Sequence, residues 1–192
     1  MEPFYQLAVS IAADKSGKRN YTVLARLVLG FLLFGGASAT VAYGRADAWV
    51  PHTNKRFGFT FLYPTDIFRM ERTAADGDGV IFTSADGGAR MLVGALENRD
   101  GHTIESYRRA IRSRSYAEFN VQYAPRGHSW FVLSGETADR VFYEKVIFSC
   151  GGRIINSFAL VYPRVDKALF DPIVERLENS FRAAQDCSPY AY

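Results

Sequence analysis

Cysteine is scarce in this chain: 192 residues hold only Cys150 and Cys187. With none before position 150, the lipid-attached type of bacterial export signal, which needs a cysteine at its cleavage point, is excluded. Histidine is equally sparse. His52, His102 and His128 lie far apart, and no two show the spacing of metal ligands. Phosphate-cradling glycine loops are missing as well, because Gly151-Gly152 joins two predicted strands and precedes no helix, which removes the case for a nucleotide cofactor. There is no Gly-x-Ser-x-Gly turn to present a nucleophile. Asp76-Gly77-Asp78-Gly79 opens like a calcium loop, yet Val80 takes the next ligand position and no acidic twelfth residue follows, so it reads as a hairpin turn. Glu97, Glu118, Glu136 and Glu144 fall on or beside strands without any pattern that singles out a carboxylate pair. No catalytic, cofactor-binding or metal-ligating set is predicted, and the three histidines are read as surface groups.

An excess of one charge sign is also lacking once the chain is divided. Of the 23 Lys and Arg, 18 follow Ala48, against 17 of the 20 Asp and Glu, so the part after Ala48 carries a net charge of only +1. Nucleic acid gains no support as a partner.

What is present begins with an address. Lys15, Lys18, Arg19 and Arg26 precede an apolar run from Leu27 to Phe34, which relaxes into Gly35, Gly36, Ala37, Ser38 and Ala39. That order is the n-region, h-region and small-residue exit of an export signal. Two Ala-x-Ala sites follow, with cleavage after Ala39 or after Ala48, and the second is preferred, making Trp49 the mature N-terminus. The alternative is a retained inner-membrane anchor, since Leu27 to Gly44 is uncharged for 18 residues. On this reading residues 1–48 are a signal peptide or signal anchor, 49–183 a single domain and 184–192 a tail. The membrane is then a partner only through an uncleaved signal segment.

The remaining 144 residues suffice for one compact core. Phe57, Phe59, Phe61 and Tyr63 alternate with polar or small residues between Arg56 and Pro64, the period of a strand with one buried face. Val80–Ser84 and Arg90–Leu96 flank Asp86-Gly87-Gly88 as a hairpin. Thr103 is placed to cap a helix from Ile104 to about Arg114, with Ile104, Tyr107 and Ile111 inward and Arg108, Arg109 and Arg112 outward. Those arginines read as a solvated face, with an anion or membrane-headgroup patch as the functional alternative. Segments 119–124, 130–135, 140–149 and 153–162 form an antiparallel meander. Leu169, Ile173, Leu177 and Phe181 mark the buried stripe of a C-terminal helix, with Asp171-Pro172 as its cap and first residue. The expected fold is thus α+β, a single domain with an antiparallel sheet flanked by helices.

That topology carries the C-terminal helix back toward the turn at Gly151-Gly152, which would bring Cys187 to Cys150. A disulfide there would stabilise the fold by about 3 to 4 kcal/mol in an exported, oxidising setting. A nucleophilic Cys150 is the weaker reading, for it has no His near it in sequence.

Phe57-Gly58-Phe59-Thr60-Phe61-Leu62-Tyr63-Pro64, Asp86-Gly87-Gly88, Phe142-Tyr143-Glu144-Lys145, Ser149-Cys150-Gly151-Gly152-Arg153, Phe170-Asp171-Pro172-Ile173-Val174 and Ser180-Phe181 resemble small exported proteins of alphaproteobacteria, especially rhizobia. These are similar, distantly, to the PsbP-like fold. The resemblance implies an α/β/α sandwich and a binding role, since that fold includes photosynthetic accessory subunits, assembly factors and a nuclear-transport regulator. It brings no site residues with it. The reading that follows is an exported, non-catalytic accessory or binding domain with an envelope protein as partner, periplasmic or secreted. A hydrolase whose site assembles only in three dimensions is the alternative class.

Overall fold

The computed structural model describes residues 48–183 and 187–188, so the predicted leader up to residue 47, including Ala39, lies outside the described residues. Nine strands and two helices follow one another in it: β1 (Trp49–Thr53), β2 (Thr60–Pro64), β3 (Phe68–Thr73), β4 (Gly79–Ser84), β5 (Arg90–Glu97), α1 (Ile104–Ser115), β6 (Asn120–Tyr123), β7 (Trp130–Glu136), β8 (Arg140–Ser149), β9 (Ile154–Pro163) and α2 (Lys167–Ser180). Seven strands make one antiparallel sheet in the order β3-β4-β5-β9-β8-β7-β6. The meander β6 to β9 folds back so that β9 lies beside β5, and β1-β2 form a separate ribbon.

Alternation along the central strands decides the layers. On β8, Val141 and Tyr143 belong to one apolar cluster with Phe170, Ile173, Val174 and Leu177 of α2 and Phe57, Phe59 and Phe61 of the ribbon. Phe142, Val146 and Phe148 point the other way, into a cluster with Tyr107 and Ile111 of α1. Successive side chains on a strand face opposite sides, so the sheet is covered twice and the fold is α+β, an α/β/α arrangement.

Local chemistry explains the elements and the departures from expectation. Thr103 caps α1 as foreseen: its Oγ1 accepts from the Ser106 amide at 3.1 Å, while Ser106 Oγ accepts from the Thr103 amide at 2.9 Å. Such a reciprocal cap contributes about 1 kcal/mol. The strand expected from Arg56 starts only at Thr60, because Asn54 Oδ1 accepts from the amides of Arg56 at 3.0 Å and Phe57 at 2.7 Å and bends the chain into a turn. Gly58, at φ 71°, completes that turn, and the unforeseen strand β1 becomes the partner of β2. Phe57 and Phe59 are still buried, so the apolar alternation marked burial correctly and strand pairing only in part.

In α2 the stripe holds at Ile173 and Leu177, with Phe181 buried just past the helix end, but Leu169 is half exposed and Phe170 takes the inner position. The helix begins at Lys167, so Pro172 sits inside it rather than at its first position. A short 3-10 turn, Arg164–Asp166, leads in ahead of the proline. Arg108 also departs from the expected outward face. It is only partly exposed, with Nη2 donating to the Ala124 carbonyl at 3.2 Å and Nη1 3.6 Å from Glu105.

Candidate functional site

A groove of about 640 Å³ opens where three segments meet: the N-terminal end of α1, the loop before β7, and the turn between β8 and β9. Phe148 and Ile104 contribute apolar lining, His102, Arg126 and His128 line it with polar groups, and Cys150 also lines it. His102 and His128 are 26 positions apart in sequence and share no motif, so nothing in the pattern announced that they line one groove. His128 is exposed as expected and His102 is half-buried.

The third histidine lies elsewhere. His52, on β1, packs its ring 5.1 Å from Phe61 and 6.4 Å from Phe82, so it belongs to the edge of the core and not to the surface as expected. Burial holds its pKa below the ordinary histidine value.

Asn98 organises the groove. Its Nδ2 donates to the His102 carbonyl at 2.9 Å and to the Gly152 carbonyl at 2.8 Å, and its Oδ1 accepts from the His102 amide at 2.8 Å. On the far wall the Phe148 amide donates to the Ser129 carbonyl at 2.7 Å. Arg126 Nη1 stands 3.7 Å from Glu105, so the arginine of the groove faces a carboxylate.

Ser106 and Asp100 approach His102 from opposite ends of its ring, at 3.3 Å from Nδ1 and 3.9 Å from Nε2. The composition is that of a hydrolytic triad, but the geometry is not. Ser106 Oγ is the second member of the α1 capping box and lies 3.1 Å from the Thr103 carbonyl, to which it donates. Asp100 is largely exposed and beyond hydrogen-bond distance. Among the described residues no group of three or more His, Cys, Asp and Glu gathers as a metal site. The acidic candidates go separate ways too. Glu97 pairs with Arg99 and Arg56, Glu136 with Arg164, and Glu144 is buried in the core. Asp78 of the supposed calcium loop is paired with Arg56, and burial raises its pKa against that partner's pull.

Cys150 and Cys187 are joined, with Cα atoms 5.3 Å apart, the pairing expected from the antiparallel order. The bridge ties the end of the chain after α2 to the groove.

No family model matches the chain, and no curated protein matches it in sequence. Solved structures do match in shape. Cyanobacterial PsbP (CyanoP) from Synechocystis sp. PCC 6803 superposes with a TM-score of 0.52 at 15% identity, over 77% of this chain and 98% of that one. The Saccharomyces cerevisiae Ran-binding protein Mog1p gives 0.54 at 10% identity, over 74% of this chain and 98% of its own. At such identities the likeness is one of fold: the chain has the PsbP and Mog1 architecture.

Proposed function

We propose that this chain is an exported, non-catalytic accessory domain of the bacterial envelope, and that the groove beside the disulfide docks a segment of a partner protein. The observation that carries this reading is the prior commitment of groups along and beside the groove: Arg126 faces Glu105, Cys150 is bonded to Cys187, and Ser106, next to His102, serves the capping box of α1. A site so engaged offers shape and hydrogen bonding to an incoming segment.

Export is supported by the leader pattern of residues 1–48 and by the cysteine pair, which persists in oxidising compartments. On this proposal residues 49–183 are the working domain, in the periplasm or secreted. Retention as an inner-membrane anchor through residues 27–44 is the alternative; among the described residues no helix is long and apolar enough to cross a membrane. A binding role also agrees with the name of one protein of the same fold, a Ran-binding protein.

Photocrosslinking in the native envelope tests the reading. A probe at Arg126 is expected to capture one defined protein, identified by mass spectrometry, and a probe at Glu118, outside the groove, is not. Equal labelling from both positions would remove the groove as a docking site. The hydrolase alternative has one point in its favour, His102 beside Ser106. Its test is hydrolysis of ester and peptide substrates that vanishes in His102→Ala while the far-UV spectrum stays unchanged.

A further inference from the structure

Among the described residues Cys150 is the only non-glycine with a positive φ, at 54°. It opens a run of three left-handed residues, with Gly151 at 67° and Gly152 at 89°. A residue with a Cβ adopts that conformation against a steric penalty, so something beyond the residue must hold it there. The tight turn between the paired residues Ser149 and Ile154 and the bond to Cys187 both constrain it, and the bond ties this turn to the chain that follows α2.

The consequence passes along a short chain of contacts. Gly152, two residues on, gives its carbonyl to Asn98, and the other hydrogen and the oxygen of that same side-chain amide bind His102. One of these three hydrogen bonds, Asn98 to Gly152, therefore joins the turn that carries Cys150 to the loop that carries His102 and the cap of α1, and the other two hold His102 to Asn98; the Asn98 backbone amide also donates to the Arg153 carbonyl at 2.7 Å. Cys150, Gly152 and His102 line one groove.

We infer that the Cys150–Cys187 disulfide is a redox latch on the groove, holding the His102 wall in place through Gly152 and Asn98. The inference rests on the docking role proposed for that groove and adds its regulation. The agent is a dithiol protein of the same compartment. One of its thiolates attacks a sulfur of the bridge, breaking the S–S bond and forming a mixed disulfide, and its second thiol then displaces this chain's sulfur. Cys150 and Cys187 leave as two thiols, the dithiol leaves as a disulfide, and two electrons and two protons have passed to this chain. Both cysteines are half-buried rather than sealed in the core, so the bridge is within reach. Released from Cys187, the turn loses its tie to the chain after α2, the Gly152 carbonyl leaves Asn98, and the His102 wall loosens.

The test uses the full chain, oxidised and then reduced with dithiothreitol. Amide exchange is expected to quicken by about tenfold or more over 98–106 and 150–153 on reduction, while β4 and β5 keep their protection. The His102 ring signals in the NMR spectrum move at the same time. Asn98→Ala is expected to move them in the oxidised chain with the disulfide intact. Unchanged exchange and unmoved ring signals would overturn the latch. So would exchange that rises equally in β5 and β9, since the bridge would then be a staple of the whole fold. Capture by the Arg126 probe is scored in both redox states. Equal capture would leave docking standing and sink the latch; no capture in either would sink docking, with the exchange data still judging the latch.

Discussion

The carboxyl of Glu144, near the middle of β8, is hydrogen-bonded to the hydroxyl of Tyr116, the residue that closes α1. Tyr116 in turn stacks on Phe142, ring centroids 3.7 Å apart, and both are fully buried. Glu144 Oε2 has no hydrogen-bond partner among the described residues. Burial pushes the pKa of Glu144 up to about 7, with the Tyr116 hydrogen bond opposing, and burial likewise raises Tyr116.

A pH dependence follows. The folded-state pKa lies above the unfolded one, so stability is fully present below the ordinary glutamate range, near pH 4.5, and is lost as pH rises through about 7. The loss is on the order of 3 kcal/mol. Glu144→Gln, neutral at every pH, is expected to match the native chain near pH 4 and to exceed its stability at pH 8. Urea melts at the two pH values check this; equal stability of the two proteins at pH 8 would refute it.

Two phenols hold α2 to the sheet by donating to carboxylates. Tyr143 donates to Glu178, which also binds Lys145 at 3.1 Å, and Tyr162 donates to Asp171 at 2.7 Å. Burial, then the carboxylate partner, raises both tyrosine pKa values. Tyr143→Phe and Tyr162→Phe are each expected to cost about 2 kcal/mol, as for hydrogen bonds to a charged group. The ring packing survives in both, so the far-UV spectrum should not change. Denaturation curves measure the loss, and a cost near zero for either would show that the tether carries no energy.

Gly135 sits on β7 where the edge strand β6 shifts register between Val121 and Tyr123. A Cβ at that position would come within 2.3 Å of the Asn120 carbonyl oxygen and 2.8 Å of Val121 Cα, both backbone atoms that no rotamer change can move aside. Gly135→Ala is therefore expected to push β6 off the sheet edge and to destabilise by about 1 to 3 kcal/mol. Faster amide exchange confined to 120–123 would be its signature; unaltered protection there would contradict the packing described.

The proposed export predicts a processing site different from the one preferred on sequence. The Ala48 carbonyl accepts from the Thr65 amide at 3.1 Å and from Thr65 Oγ1 at 3.0 Å, and the Trp49 ring lies 4.4 Å from the Arg176 guanidinium. Cutting after Ala48 would carry that carbonyl away with the leader. Ala39 follows the apolar run by five residues and Ala48 by 14, so the first site also stays nearer the membrane surface, at roughly 3.3 Å per extended residue. The exported protein is expected to begin at Thr40. Intact-mass measurement decides, and a chain starting at Trp49 would refute it.

Legibility in the sequence divided along a physical line. The hairpin β4-β5, the cap at Thr103 and the meander from β6 to β9 were readable because each is written in neighbouring residues: alternation, a capping hydroxyl, glycines between apolar runs. The disulfide was readable at one remove, since antiparallel order alone returns the chain after α2 to the β8-β9 turn. Arg108 and Leu169 were misread for the opposite reason. A helical period states which residues share a side, but the neighbouring loop at Ala124 and the sheet beneath α2 decide which side is wet.

By itself, then, the sequence determined which segments pair and which way their apolar sides face, because backbone hydrogen bonding and side-chain alternation repeat every few residues. Only the tertiary structure decided that His102 and His128 line one groove, that Ser106 serves a helix cap, and that Glu144 is buried in the core. Those depend on contacts between residues far apart in the chain, where no local period records the neighbour.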